Sequence, residues 1–435
     1  MRTVTTFVLA VACVVAVSGD SFAQIKGTTM GGLTTVVSDG AFDAARNPAL
    51  LGLQKSPHAF AAYGKYRPYY STDFDLKNDS MSIKRGEPET MTFGGIMAYS
   101  YSSGSTMFGI AAGEAGGDLY NYSKANTKFN TPTGYLNNTE ETREYNPSLV
   151  MSLAFPVGES SSIGFQIATT YNQKATSITE KTTYSGSPAS TLTKDKTAYA
   201  LSAGAGFGYL YSTPDSQAGI LIRSGNAEVY YDSLDFTYDD YASPPGGGVF
   251  PYTYSKSDTS KKRIRYNDPA SIAVGGYKRF TPLFACAFES VYTLVSAYPS
   301  KNLDDVESEI DSDVIDIKLV KTYSRTREKI DFKGGIELNF LPQLSCTLGA
   351  GYSYTEMSTR SGSGGSGSSR SRTTLEILYS SLGIHYSMSE KTVLTLTVFF
   401  ADVKGSFDIE ESNFGFSADA PTRFFDTGLG VTTKF

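Results

Sequence analysis

The chain has 435 residues, a net charge of −6, 42 glycines, 30 tyrosines, 26 phenylalanines and no tryptophan. A nucleic-acid partner is excluded, because phosphate binding needs a basic face. The aromatic and glycine content suits strands and turns better than helices, and a chain of this length divides into two or three domains unless it forms one large barrel.

Taken in chain order, residues 1–23 read as a secretory signal peptide. Arg2 supplies the basic start, Phe7 to Val17 the apolar run, and Ser21-Phe22-Ala23 the small residues before a cut ahead of Gln24. The run is shorter than the roughly 20 residues of a spanning helix. A lipoprotein reading at Cys13 is disfavoured by the apolar Val14 to Val17 that follow. No later stretch is long and apolar enough to span as a helix, so residence in a membrane requires a closed β-barrel without free strand edges.

Residues 24–57 come next. Leu33, Val36, Val37, Phe42, Leu50, Leu51 and Leu53 need burial, so this is not a solvated tail. Ser38 or Asp39 is placed to cap a short helix over 40–46. Asn47 should end it, because the residue before Pro48 avoids helical angles. The segment "NPALLGL" is then expected to be ordered, extended or turning.

From residue 58 the pattern changes to period two. In "KIDFKGGIELNF" (329–340), Ile330, Phe332, Ile336, Leu338 and Phe340 share one face, while Asp331, Lys333, Glu337 and Asn339 share the other. Six hairpins with short turns repeat this unit, at "SGS", "GESS", "TPDS", "TP", "LPQ" and "SEK". A first strand, "HAFAAYGKYRPYY", and a last, "PTRFFDTGLGVTTKF", bring the expected total to fourteen. Short turns alternate with long polar connections, the asymmetry of outer-membrane barrels. The chain also ends on Phe435 in an amphipathic strand, which resembles the assembly signal of such barrels. The expected fold is therefore an all-β, fourteen-stranded antiparallel transmembrane barrel over 58–435, with residues 24–57 as a plug in its lumen. A soluble secreted sandwich or solenoid is the alternative. It does not account for the alternating loop lengths or for the small residues on the second face.

The N-terminal segment resembles the hatch of the long-chain fatty acid transporter family (FadL/TodX). The matching residues are Gly31-Gly32, Asp43-Ala44-Ala45, then Asn47-Pro48-Ala49 and Leu51. The chain departs from the family pattern at Arg46, where an aromatic is usual, and at Leu50, where glycine is common. The resemblance implies outer-membrane transport of hydrophobic compounds, most simply passive uptake of long-chain fatty acids. It implies a hatch gated through Asn47, Pro48, Ala49 and Leu51, and a kinked third strand opening sideways into the bilayer. That strand here is "TMFGIAAGEAGGDLY", with Gly109, Gly113, Gly116 and Gly117. Strand glycines mark bulges and bends, but they also relieve packing against a plug, and both readings stand.

Catalysis has little support. His58 and His385 are far apart, and no nucleophile elbow, zinc-protease motif or Cys/His ligand spacing occurs. "GAGFG" (204–208) sits mid-strand. No enzyme activity, cofactor or metal is expected. Alternation places His385, Glu289, Asp331, Lys333, Glu337 and Arg223 on the lumen face. A salt network bracing the interior is one reading of these charges; a fatty-acid carboxylate met by Arg223 or Lys333 is the other. Cys286 and Cys346 lie on strands two apart and are expected as free thiols. The acidic stretch 302–316 could attract Ca²⁺ but matches no loop motif. The Tyr-rich stretch 226–266 reads as an exposed external loop suited to contacts. Enlarged loops here and at 297–327 raise the competing function, a PorV-like barrel that docks secreted protein cargo or partner proteins; a surface adhesin mounted on a barrel is a third reading. Partners on the leading reading are the outer-membrane bilayer and a hydrophobic small molecule.

Overall fold

The structure, a computed structural model, describes residues 29–54, 56–71, 74–77, 82–85, 89–113, 119–131, 134–184, 190–242, 250–259, 263–268, 270–294, 309–310, 317–318, 321–363, 367–411 and 414–435. Fourteen antiparallel strands close into a barrel. The first six are β1 (His58–Ser71), β2 (Glu89–Ser103), β3 (Thr106–Gly113, resuming as Tyr120–Thr131), β4 (Gly134–Tyr145, then Ser148–Pro156), β5 (Ser161–Tyr184) and β6 (Ser190–Ser212). β7 is Ser216–Arg223 continued by Asn226–Ala242, and β8 runs in three pieces, Phe250–Thr259, Arg263–Asp268 and Ser271–Thr281. The rest are β9 (Phe284–Thr293), β10 (Lys321–Leu341), β11 (Leu344–Ser363), β12 (Gly367–Ser387), β13 (Thr392–Glu411) and β14 (Phe414–Lys434). Each strand pairs with the next, and β14 pairs back onto β1 with Lys434 opposite Ala59 and Val431 opposite Ala62.

The period-two pattern decides which face looks where. Phe165, Ile167, Leu201, Phe288, Leu378 and Leu396 are exposed on the outside, while Ser162, Gln166, Glu289, Thr395 and Thr397 are buried on the inside. An apolar exterior on a closed sheet is the condition for crossing lipid with strands, because pairing all round the wall leaves no free strand edge. The short turns use glycine where the backbone must be left-handed, as at Gly104 (φ 63) and Gly158 (φ 78). Cys286 and Cys346 are free thiols, as expected.

Strand length departs from expectation. β5 has 24 residues and β6 has 23, about twice the 9–11 that a tilted strand needs to cross. The surplus stands beyond the bilayer as a collar on the side of the long connections. The stretch 226–266, expected as a loop, is largely strand: Asn226–Ala242 pairs with β6 and with Phe250–Thr259. Likewise β10 begins at Lys321, inside the stretch 297–327. The physical reason is that a collar is wet on both faces, so its strands lose the alternation that betrays a strand. Of the acidic stretch 302–316, only Glu309–Ile310, paired with Ile317–Lys318, is described. The signal peptide and its cut site lie outside the described residues, as do Gly116 and Gly117.

Among the described residues, the largest shift of register between neighbouring strands lies between β2 and β3. Gly113 of β3 stands opposite Ile96 of β2, and the next pair is Tyr120 with Phe93. Seven positions of β3 are thus set against three of β2. β4 divides at the same level, at Asn146-Pro147, between Tyr145 and Ser148. Proline has no N–H to give to a ladder. β5 runs through unbroken, and its Tyr171 N–H donates to Pro147 O at 2.9 Å.

Candidate functional site

Residues 29–54 lie inside the barrel and make the site's floor. Two 3₁₀ turns, Gly40–Ala45 and Pro48–Leu53, form its core. Of the two expected caps, the Asp39 side chain makes no capping bond, while Ser38 Oγ accepts from the Gly40 N–H at 3.4 Å; the turn is 3₁₀ rather than α. Asp43 reaches back instead. Its carboxylate accepts from Ser38 Oγ at 2.6 Å and from the Asp39 N–H at 2.8 Å. Asp39 pairs with the Arg46 guanidinium. The Asp43 carboxyl is pushed up to about 7, first by burial and then by the neighbouring Asp39 charge, against its hydrogen bonds and Arg46.

The first turn ends at Ala45 with Arg46 as its C-cap, one residue before the expected Asn47, which instead caps the second turn. The Asn47 Oδ1 accepts from the Ala49 N–H at 3.1 Å, and its Nδ2 donates to Thr35 O at 2.8 Å. Pro48 occupies the first position of the second turn, where its missing N–H is harmless. Ser162 Oγ donates to Ala49 O at 2.5 Å and Ser152 Oγ to Ala44 O at 2.6 Å, tying both turns to the wall. Leu51 packs with Phe42 and Ala44 against Met107 and Val150, while Leu33, Val36 and Leu50 pack against Leu210. Each fully buried leucine contributes about 1.5–3 kcal/mol over the exposed state.

The wall receives this segment on glycines. A Cβ on Gly208 would run into Asn47 Oδ1, one on Gly164 into Pro48 and Ala49, and one on Gly275 into Thr35. A Cβ on Gly335 would come within 2.6 Å of the Met30 Cα, and one on Gly109 within 2.7 Å of the Ala44 Cβ. The backbone of the segment therefore approaches the strands more closely than any side chain permits. Gly109 belongs to this seat and not to the break. Gly113 does sit at the break, with φ at 126°.

The polar clasp is Glu289. It accepts from the Thr34 and Thr35 N–H groups, both at 2.7 Å, and from the Thr35 hydroxyl at 2.8 Å. Lys333 Nζ stands 3.2 Å from Glu289 Oε1 and donates to Gly32 O at 3.2 Å. Alternation found Glu289 and Lys333 on the lumen face but gave no hint that their common partner is the N-terminal segment. Lys333 is thereby engaged. Arg223 is different: its Nη2 donates only weakly to Ala45 O, at 3.4 Å, and its Nε is buried with no hydrogen-bond partner. His385 is buried among hydroxyls, with Nε2 2.9 Å from Thr347 Oγ1 and Nδ1 3.0 Å from Thr395 Oγ1.

Sequence reading missed one feature. Tyr379, Phe399 and Phe424, on β12, β13 and β14, stack in a row with centroids 5.4 and 5.9 Å apart. The Arg67 guanidinium of β1 lies 4.2 Å over the Phe424 ring and is held by Asp426 at 2.6 Å. Tyr379 donates to Gly31 O at 3.2 Å, so the row rests on the segment, on the side away from the short turns. Its signal was an aromatic at an inward position on three successive strands.

No protein-family model matches the chain, and no curated protein matches it in sequence. Solved structures do match in shape. The Pseudomonas putida toluene transporter TodX is 10% identical with a TM-score of 0.54, covering 96% of this chain and 99% of that one. This chain shares the TodX fold. A Pseudomonas aeruginosa FadL homologue is 12% identical with a TM-score of 0.55, over 96% of this chain and all (100%) of that one. The CymD monoaromatic hydrocarbon channel is 14% identical with a TM-score of 0.52, over 95% and 97%. At these identities the TodX fold is common ground, while the lining residues of each barrel are its own.

Proposed function

We propose that this chain is an outer-membrane channel for hydrophobic compounds, and that long-chain fatty acids are its cargo. The barrel, gated by its N-terminal hatch, takes substrate from the long-connection side and releases it sideways at the β3 break. The observation that carries this reading is the seat: residues 29–54 are buried on the inside of the wall, against a belt of inward glycines. A segment seated in this way suits a solute that leaves through the wall into lipid. Solved structures of the same fold described as toluene, hydrocarbon and FadL-type proteins support the cargo class. The stacked aromatic row offers such a cargo an apolar face above the segment. Arg223, with its spare N–H capacity, is the better carboxylate partner, since Lys333 is engaged by Glu289.

The test is uptake of labelled oleate and labelled toluene by cells lacking their own transporters. Uptake of oleate by the parent, lost on deleting Asn47 to Ala49 and reduced several-fold in Arg223→Met, supports the reading. Uptake of toluene alone replaces the fatty acid with an aromatic cargo. Negligible uptake of both by a correctly inserted parent overturns transport and leaves the PorV-like docking of protein to the collar.

A further inference from the structure

The collar has a groove of its own, on its outer face and away from the lumen. It measures about 320 Å³ and is lined by Asn126, Thr127, Lys128, Asn137, Asn138, Thr139, Thr179 and Lys181. The pairing resolves these residues into two rungs across β3, β4 and β5. Asn126, Thr139 and Thr179 form the lower rung, and Lys128, Asn137 and Lys181 the upper. Register is continuous along β5 from the lipid-facing Phe165 and Ile167 to Thr179 and Lys181, so all four share the outward side. The Thr139 hydroxyl donates to Asn126 Oδ1 at 2.8 Å and fixes that amide.

Height is set by aromatics. Tyr145 and Tyr199 are exposed and flank Gln173 on one outward rung. Exposed tyrosines mark the membrane–water interface. Lys181 is eight residues further along β5 than Gln173. At about 3.3 Å per residue and a tilt of roughly 40°, it stands about 20 Å above the interface. In an outer membrane, that level is the level of the head groups of outer-leaflet glycolipid rather than of acyl chains.

The lining selects the ligand. Its six outward side chains are two lysines, two asparagines and two threonines, with no carboxylate and no apolar anchor. A protein partner is disfavoured, because protein hot spots are built on buried aromatic or arginine anchors. Amides and hydroxyls match a ring of hydroxyl groups, and two ammonium groups flanking Asn137 match phosphate. The volume is that of a small-ligand site, where about 300–1,000 Å³ is usual. We infer that this groove binds the phosphorylated oligosaccharide of an outer-leaflet lipopolysaccharide, and that it anchors the collar laterally among its neighbours. The inference stands apart from the transport reading, since the six side chains it rests on lie on the outward face.

The experiment uses the full-length barrel in detergent and measures binding by native mass spectrometry. The probes are lipopolysaccharide with a complete phosphorylated core, the same molecule after phosphatase treatment of its core, and lipid A without core. Roughly tenfold preference for the complete molecule over lipid A is expected. Lys128→Glu with Lys181→Glu should abolish the preference, and Asn137→Leu should reduce it, while both variants keep the heat-modifiable migration of a closed barrel. Competition by soluble core oligosaccharide, and weaker competition by inorganic phosphate, would place the contact on the sugar. Equal affinity for lipid A and the complete molecule, an unchanged preference in the double variant, or competition by phosphate as strong as by oligosaccharide overturns the proposal.

Discussion

Gly208 and Gly113 are both strand glycines, and the wall uses them in opposite ways. Gly208 lies in an unbroken ladder, opposite Gly164 on one side and Leu221 on the other. Its missing Cβ makes room for Asn47, and so for a second layer of chain inside the barrel. Gly113 adopts φ 126°, which L side chains rarely tolerate, and it is the last described residue before the register against β2 changes. One region therefore trades side-chain bulk for contact with the N-terminal segment, and the other interrupts the regular register between β2 and β3.

That contrast can be broken from either side. The largest effect is expected from Glu289→Leu. It leaves the Lys333 ammonium buried without its carboxylate and strips two N–H groups of their acceptor, at about 3–5 kcal/mol; protease should then cut within residues 29–54, and bilayer recordings should show ion leakage. Next comes Gly208→Leu. Overpacking against Asn47 costs about 1–3 kcal/mol, with the same leakage but an intact Glu289 clasp, so that cleavage is confined to the Asn47–Leu53 turn. The pH dependence is smaller and has a defined sign. Asp43 is raised to about 7, so its contribution to docking is fully present below about pH 4 and is lost as pH rises through about 7. Leakage should therefore increase between pH 5 and 8, and Asp43→Asn should flatten that profile. The smallest effect is Gly113→Ala. Its Cβ would come 2.3 Å from the Gly95 carbonyl oxygen and 2.9 Å from the Ile96 Cα, a clash confined to the β2–β3 break and added to a backbone strain of about 1–3 kcal/mol; hydrophobe uptake should change with no ion leakage, which would separate the break from the seat.

Much of this architecture was legible because lipid imposes alternation. The six hairpins and the fourteen strands followed from inward and outward residues such as those of 329–340. Where lipid ends, legibility ends too: Asn226–Ala242 is strand but reads as loop, because water on both faces removes the apolar side. The N-terminal segment was readable from Leu33, Val36 and Leu51, which had to be buried somewhere. The glycines at 208 and 275 carried no such signal in the sequence, and only the structure shows that they make room for Asn47 and Thr35. Glu289 was readable as an inward charge, but its binding of the Thr34 and Thr35 amides depends on where a segment more than 250 positions earlier comes to rest. Local patterning cannot encode such a pairing. The Tyr379–Phe399–Phe424 row escaped for the same reason, each ring being ordinary within its own strand.

The seam between β1 and β14 has a consequence for the order of assembly. Residues 29–54 precede every strand, yet they end inside a cylinder whose last bonds join Ala59 to Lys434. The order of assembly we predict lays them against the wall, from β1 to β12, while the sheet is still an open crescent, with the seam closing over them. The segment is in this sense a mandrel. The inward glycines on eight strands shape themselves around it, and a chain that rolled up without it would be left with a hollow where its core should be.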